Sequence, residues 1–91
     1  MERKDIKSIL RCPYKDILEY LLSIVNLTEK ERELINEVDI KGYTEEHTAE
    51  CLGVSPRHVQ QQRQKAYKKL SKVWGKSHLV ELVLQELRED I

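Results

Sequence analysis

The sequence predicts an all-α fold: a compact helical bundle that contains a helix-turn-helix, with accessory helices at its N- and C-terminal ends. Three observations carry this expectation. Apolar residues recur at helical spacing in the segments around 14–25, 28–41 and 77–91. Start and stop residues punctuate those segments: Thr28 and Thr44 at starts, Gly42 and Gly53 at stops, and Ser55-Pro56 at a restart. Finally, only three or four residues, one of them glycine, separate two helical segments between Thr44 and Leu70, which is the signature of a helix-turn-helix.

Met1 to Leu10 reads as a short helix with Ile6, Ile9 and Leu10 on one side, broken at Arg11-Cys12-Pro13 because proline disfavours helix in the residue before it. Tyr14 to Val25 is a stronger helix. Its residues Ile17, Leu18, Tyr20, Leu21, Leu22, Ile24 and Val25 cover roughly 200° of the wheel, so it is expected to be clamped between two neighbours. Thr28 and Glu31 form a capping box that opens a helix to about Lys41, with Leu34, Ile35 and Val38 inward and Gly42 as its stop. The ring of Tyr43 is expected to pack under the joint that follows; the alternative is a hydroxyl aimed at phosphate.

Thr44 caps the first motif helix, and Glu45 and Glu46 sit where the helix dipole favours negative charge. Gly53 ends it, and Ser55-Pro56 opens the second helix, since proline loses nothing at a position whose amide has no partner. On that helix Val59, Ala66, Leu70 and Val73 share one stripe, while Arg57, Gln61, Gln64 and Lys68 share the opposite one. Arginine and glutamine can each offer two hydrogen bonds to one base edge. A merely solvated helix face more often mixes Glu with Lys, and here no Asp or Glu occurs between Glu50 and Glu81; DNA contact is expected, the alternative being a basic face that meets a protein or only water. Trp74-Gly75 closes the helix, with Trp74 anchoring the next segment to the core. Ser77 caps a last helix to about Asp90, whose residues Leu79, Val80, Leu82, Val83, Leu84, Leu87 and Ile91 again span roughly 200°. One side of it is expected to meet Tyr14–Val25. The other suits a second copy, predicting a homodimer through Leu79, Leu82, Val83 and Leu87. The expected division is therefore an N-terminal helical segment 1–26, a helix-turn-helix domain 27–73 and a C-terminal helix 74–91.

The 91 residues carry no net charge, but the charge is segregated. Met1–Leu27 is net +1, Thr28–Glu50 net −5, Cys51–Val80 net +7 with no acid, and Glu81–Ile91 net −3. A basic segment between acidic ones gives a directional field, and association depends on that local field. Cys12 and Cys51 lack CxxC spacing and read as reduced thiols, with Cys51 a small core residue. His47 and Cys51 lie one turn apart, but no second pair stands at zinc spacing, so no metal is expected. The carboxylates of Glu29–Glu37 read as a solvated helix face, and no Ser/His/Asp set or phosphate-cradling loop occurs, so neither catalysis nor a cofactor is expected. No apolar run approaches the roughly 18 residues of a membrane span, and the charged N-terminus MERKDIK does not look like a secretion signal; a cytoplasmic location is expected.

Four motifs now carry a resemblance: L-T-E-x-E-R from Leu27, G-Y-T-E-E from Gly42, A-E-x-L-G-V-S from Ala49 and K-A-x-K-K-L from Lys65. Together they resemble region 4 of bacterial sigma-70-type factors over Leu27–Leu70. The resemblance implies a four-helix DNA-binding domain whose last helix reads a promoter element. It implies base contact for Arg57, His58, Gln60, Gln61 and Gln64, and phosphate contact for Thr44, Ser55, Lys65, Lys68 and Lys69. Lys72, on the same basic helix, is read as a further DNA contact. Three departures stand out. Gln62 occupies a position that is usually apolar in that family, the chain lacks room for the sigma region that binds the other promoter element, and the expected Ser77–Ile91 helix lies outside the pattern. The expected function is a sequence-specific, double-stranded DNA-binding regulator of transcription that inserts Pro56–Lys72 in the major groove. The alternatives are an adaptor that docks on RNA polymerase or a sigma factor, and a phage small terminase subunit.

Overall fold

A computed structural model describes residues 1–89, and all regular structure in that range is helical. In order, the elements are α1 (Arg3–Leu10), α2 (Lys15–Ser23), α3 (Glu29–Leu34), a π-helical segment (Ile35–Ile40), α4 (Glu45–Leu52), α5 (Pro56–Trp74) and α6 (His78–Glu89). They fall into two compact units. Leu27–Lys68 forms one; Met1–Asn26 forms the other with the chain from Lys69 onward. Helix α5 contributes residues to both.

The Leu27–Lys68 unit is built from well-capped short helices. The Thr28 hydroxyl accepts from the Glu31 amide at 3.1 Å while the Glu31 carboxylate accepts from the Thr28 amide at 2.9 Å. Glu31 is buried in doing so, which corrects the reading of Glu29–Glu37 as a uniformly solvated face. After Leu34 the helix widens, and the Lys41 amide reaches back five residues to the Asn36 carbonyl at 2.9 Å. Gly42 then turns the chain at φ 85°. The Thr44 hydroxyl caps α4 by accepting from the His47 amide at 3.0 Å. Gly53, at φ 69°, ends α4 in the left-handed region, and the Val54 amide closes back on the Ala49 carbonyl at 3.0 Å. The Ser55 hydroxyl opens α5 by accepting from the His58 amide at 3.1 Å. Leu34, Ala49 and Val59 form the centre of this unit, with Val38, Leu52 and Val54 packed against them.

A polar cluster ties three elements of the unit together. Asp39, in the π-helical segment, is only 3% exposed. Arg63 of α5 grips it with a two-pronged fork, Nε to Oδ2 at 3.1 Å and Nη2 to Oδ1 at 2.7 Å. The third arm of the same guanidinium, Nη1, donates to Glu45 Oε2 of α4 at 2.8 Å. The Tyr67 hydroxyl donates to Asp39 Oδ1 at 2.5 Å, and the guanidinium lies 5.5 Å from the Tyr67 ring centre. Burial works against the guanidinium charge, but the hydrogen bond and charge of Asp39 outweigh it and raise the Arg63 pKa above its ordinary value. Burial raises the Tyr67 pKa, and its hydrogen bond to Asp39 raises it further.

In the other unit, Ile6, Ile9 and Leu10 of α1, Leu18, Leu21 and Leu22 of α2, and Leu70, Trp74, Val80 and Val83 are buried. Trp74 is sealed in and its indole N–H donates to the Leu21 carbonyl at 2.9 Å, so it anchors the end of α5 to α2. The Ser77 hydroxyl caps α6 by accepting from the Val80 amide at 3.3 Å.

Several expectations require correction. Helix α6 packs chiefly on α1, a neighbour not named from the sequence, and Arg88 reaches Asp5 at 3.4 Å. Val83 is buried within its own unit and is not available to a second copy as expected. Cys51 is exposed, because it lies on the outer side of α4 from Thr48 and Ala49. Tyr43 is also exposed, its ring beside that of His47 with centroids 5.0 Å apart. Asp90 and Ile91, placed on the last helix from sequence, lie outside the described residues.

Two stability predictions follow from these contacts. The Thr48 hydroxyl is buried with no hydrogen-bond partner among the described residues. Thr48→Val should therefore raise stability by about 1 kcal/mol, seen as a higher urea midpoint at unchanged slope. Arg63→Met leaves Asp39 buried without its cation and should cost about 3–5 kcal/mol in the same titration.

Candidate nucleic-acid interface

Helix α5 is amphipathic in an unusual way: its outer face changes character along its length. Arg57, Gln60, Gln61 and Gln64 occupy the first half, and all four are exposed. Lys65, Lys68 and Lys72 continue the face through the second half and are exposed too. Within the Leu27–Lys68 unit, from Arg57 to Lys68, the stripe is about 17 Å long at 1.5 Å per residue. The inner face is apolar: Val59, Ala66, Tyr67, Leu70 and Trp74 are buried, and Val73 is half-buried. With that face buried, the Arg57–Gln61–Gln64–Lys68 side is left exposed.

The remaining sequence-predicted residues flank that stripe. His58 and Lys69 are half-buried at its margin, and Lys69 Nζ lies 3.3 Å from the Asn26 carbonyl. Gln62, where the related pattern has an apolar residue, is half-buried as well. Thr44 and Ser55 are exposed at the first turns of α4 and α5. Each hydroxyl accepts from a backbone amide and keeps its own hydrogen to donate, beside helix N-termini whose free amides favour an anion.

Arg63 is the cation of α5 that faces inward. Counted with the basic residues in the sequence, it is in fact compensated by Asp39 and Glu45 and adds little to the outward field. A signal for this was present. Arg63 is four residues from both Val59 and Tyr67 and seven from Leu70, which places it inside the buried arc of the wheel. The residues that hold it were not legible, because Asp39 and Glu45 are 24 and 18 positions away.

Other chemistry-bearing groups do not converge. His47 Nε2 and Cys51 Sγ are 3.6 Å apart on the surface of α4. Among the described residues no group of three His, Cys, Asp or Glu side chains could hold a metal ion, and no helix is long and apolar enough to cross a membrane.

Comparison with curated proteins and with solved structures gives no match. Comparison with family models gives a match to sigma-70, region 4, over residues 17–70. The match takes in most of α2 as well as α3, the π-helical segment, α4 and the first part of α5, more than half of the chain. The capped α4, its Gly53 turn and the bare outer face of α5 are the helix-turn-helix of such a domain, and the chain belongs to the sigma-70 region 4 family of DNA-binding helix-turn-helix domains.

Proposed function

We propose that the protein is a sequence-specific regulator of transcription that binds double-stranded DNA by laying Pro56–Lys72 in the major groove. The observation that carries this reading is the exposed stripe of α5, polar and hydrogen-bonding at its N-terminal half, cationic at its C-terminal half. In helix-turn-helix complexes the first residues of the recognition helix meet base edges, while the chain on either side meets the backbone. Arg57, Gln60, Gln61 and Gln64 fit the first task, since their forked donors and acceptors match guanine and adenine edges. His58 stands next to them. Lys65, Lys68, Lys69 and Lys72 fit the second, with Thr44 and Ser55 donating to phosphate from two helix N-termini. Phosphate contacts supply affinity, and base contacts supply the choice of site.

A second reading has its own support. Glu29, Glu33, Glu46 and Glu50 are exposed on α3 and α4, an acidic surface suited to a basic patch on RNA polymerase or another factor. Recovery of polymerase at salt that strips DNA would favour this adaptor role. For self-association, Leu79 and Leu82 of α6 are exposed and Leu87 is half-buried, so a second copy would meet that face rather than Val83. Sedimentation distinguishes a monomer or dimer from the many-membered ring that a terminase subunit would form.

The test is selection of bound fragments from random duplex DNA, followed by titration of the selected fragment and of random duplex at several salt concentrations. Lys68→Ala should weaken binding to both and lower the salt slope by about one. Gln61→Ala should relax preference at one base pair, at a cost of about 1–3 kcal/mol on the selected fragment alone. Identical behaviour of the two variants on both duplexes would overturn the assigned roles.

A further inference from the structure

We infer that Arg63 is a positioning residue for base readout: its fork onto Asp39 and its third arm to Glu45 set the rotation of the recognition helix without touching DNA. This rests on the DNA-binding reading above and names a determinant of specificity that lies outside the contact face.

The helix needs such a device. Within the Leu27–Lys68 unit, α5 buries Val59, Ala66 and the ring of Tyr67, and the apolar part of that packing is non-directional. Apolar contact of this kind tolerates a helix that turns slightly about its axis. Base readout does not tolerate it. A turn of about 10° moves side chains at the rim of a helix by about 1 Å, beyond the roughly 0.5 Å within which a recognition group must be held. The guanidinium fork supplies the missing direction, because two parallel N–H···O bonds fix both distance and angle.

The placement of the partners makes the fork a fixed point. Arg63 lies between Gln61 and Gln64 in sequence, about 160° round the helix from the first and about 100° from the second. Asp39 and Glu45 belong to the two elements that precede α5 in the motif, so one side chain ties α5 to both. Asp39 is itself immobilised by burial and by the Tyr67 hydroxyl, one turn further along α5. The carboxylates also neutralise Arg63, which makes it a poor competitor for phosphate and keeps it inward when DNA is present.

The decisive variant replaces the whole cluster rather than one partner. Arg63→Met with Asp39→Leu and Tyr67→Phe removes every buried polar group of the fork, and an apolar replacement of a buried ion pair keeps or improves stability. The triple variant should keep its helical content and melt no lower than the wild type. It should bind random duplex within about two-fold of the wild type with an unchanged salt slope, yet lose about ten-fold or more of its preference for the selected fragment. A merely structural role predicts unchanged preference once stability is restored, and that result overturns the assignment. A salt slope lower by about one would show Arg63 to be a phosphate contact and overturns it equally. If the triple variant does not fold, Glu45→Gln carries the test. It trims one arm at the margin of the cluster and should lower the preference about three-fold; no change overturns the assignment. Wild-type protein that binds no duplex overturns the DNA reading and this inference together, whereas wild-type preference that survives in the variants overturns the inference alone.

Discussion

A carboxylate shielded from water almost completely is unstable unless a cation meets it, and Asp39 is such a carboxylate. Arg63 is its answer. The pair lies where the π-helical segment, α4 and α5 come together, so satisfying one buried charge also fixes three elements of the helix-turn-helix unit. An ion pair of this kind is weak evidence for net stability, since desolvation offsets much of the attraction. What it does supply is geometry. The apolar centre of the unit, Leu34, Ala49 and Val59, packs without directional bonds, whereas the fork fixes both distance and angle.

The π-helical turn belongs to the same constraint. Its wider hydrogen-bond register, with the Lys41 amide on the Asn36 carbonyl, brings Asp39 inward while Ile40 remains only half-buried. Single wide turns of this kind tend to mark places where function places a demand on a helix. Here the demand is that an acid, rather than an apolar residue, face α5.

Charge is handled by segregation. The chain is neutral overall, yet Thr28–Glu50 is net −5 and Cys51–Val80 net +7, with Arg57, Lys65, Lys68 and Lys72 exposed on α5. Turning Arg63 inward removes one cation from that face and uses it in the interior, leaving lysines whose flexible stems and compact charges suit contact with a backbone of phosphates. A basic segment next to an acidic one gives a directional field, which orients an encounter as well as favouring it. Association with phosphates driven by such a field weakens steeply with added salt.

The sequence by itself determined the helices and their ends. Thr28, Thr44, Ser55, Gly42 and Gly53 act within four or five residues of themselves, and each does in the structure what its local chemistry dictates. It also determined the bare stripe of α5, because a period of 3.6 residues separates Arg57, Gln61, Gln64 and Lys68 from Val59, Ala66 and Leu70 whatever lies beneath. The region 4 motifs were legible for the same reason: they are local. Tertiary structure alone decided which neighbours the apolar faces met. It put α6 on α1, turned Val83 inward, and left Tyr43 and Cys51 in solvent. It also decided that Arg63 is a buried clamp rather than one more outward cation. The physical reason is common to all of these: a helix face is a property of nearby residues, whereas the partner of a buried charge or ring is set by chain segments far apart in sequence, here 24 residues between Arg63 and Asp39.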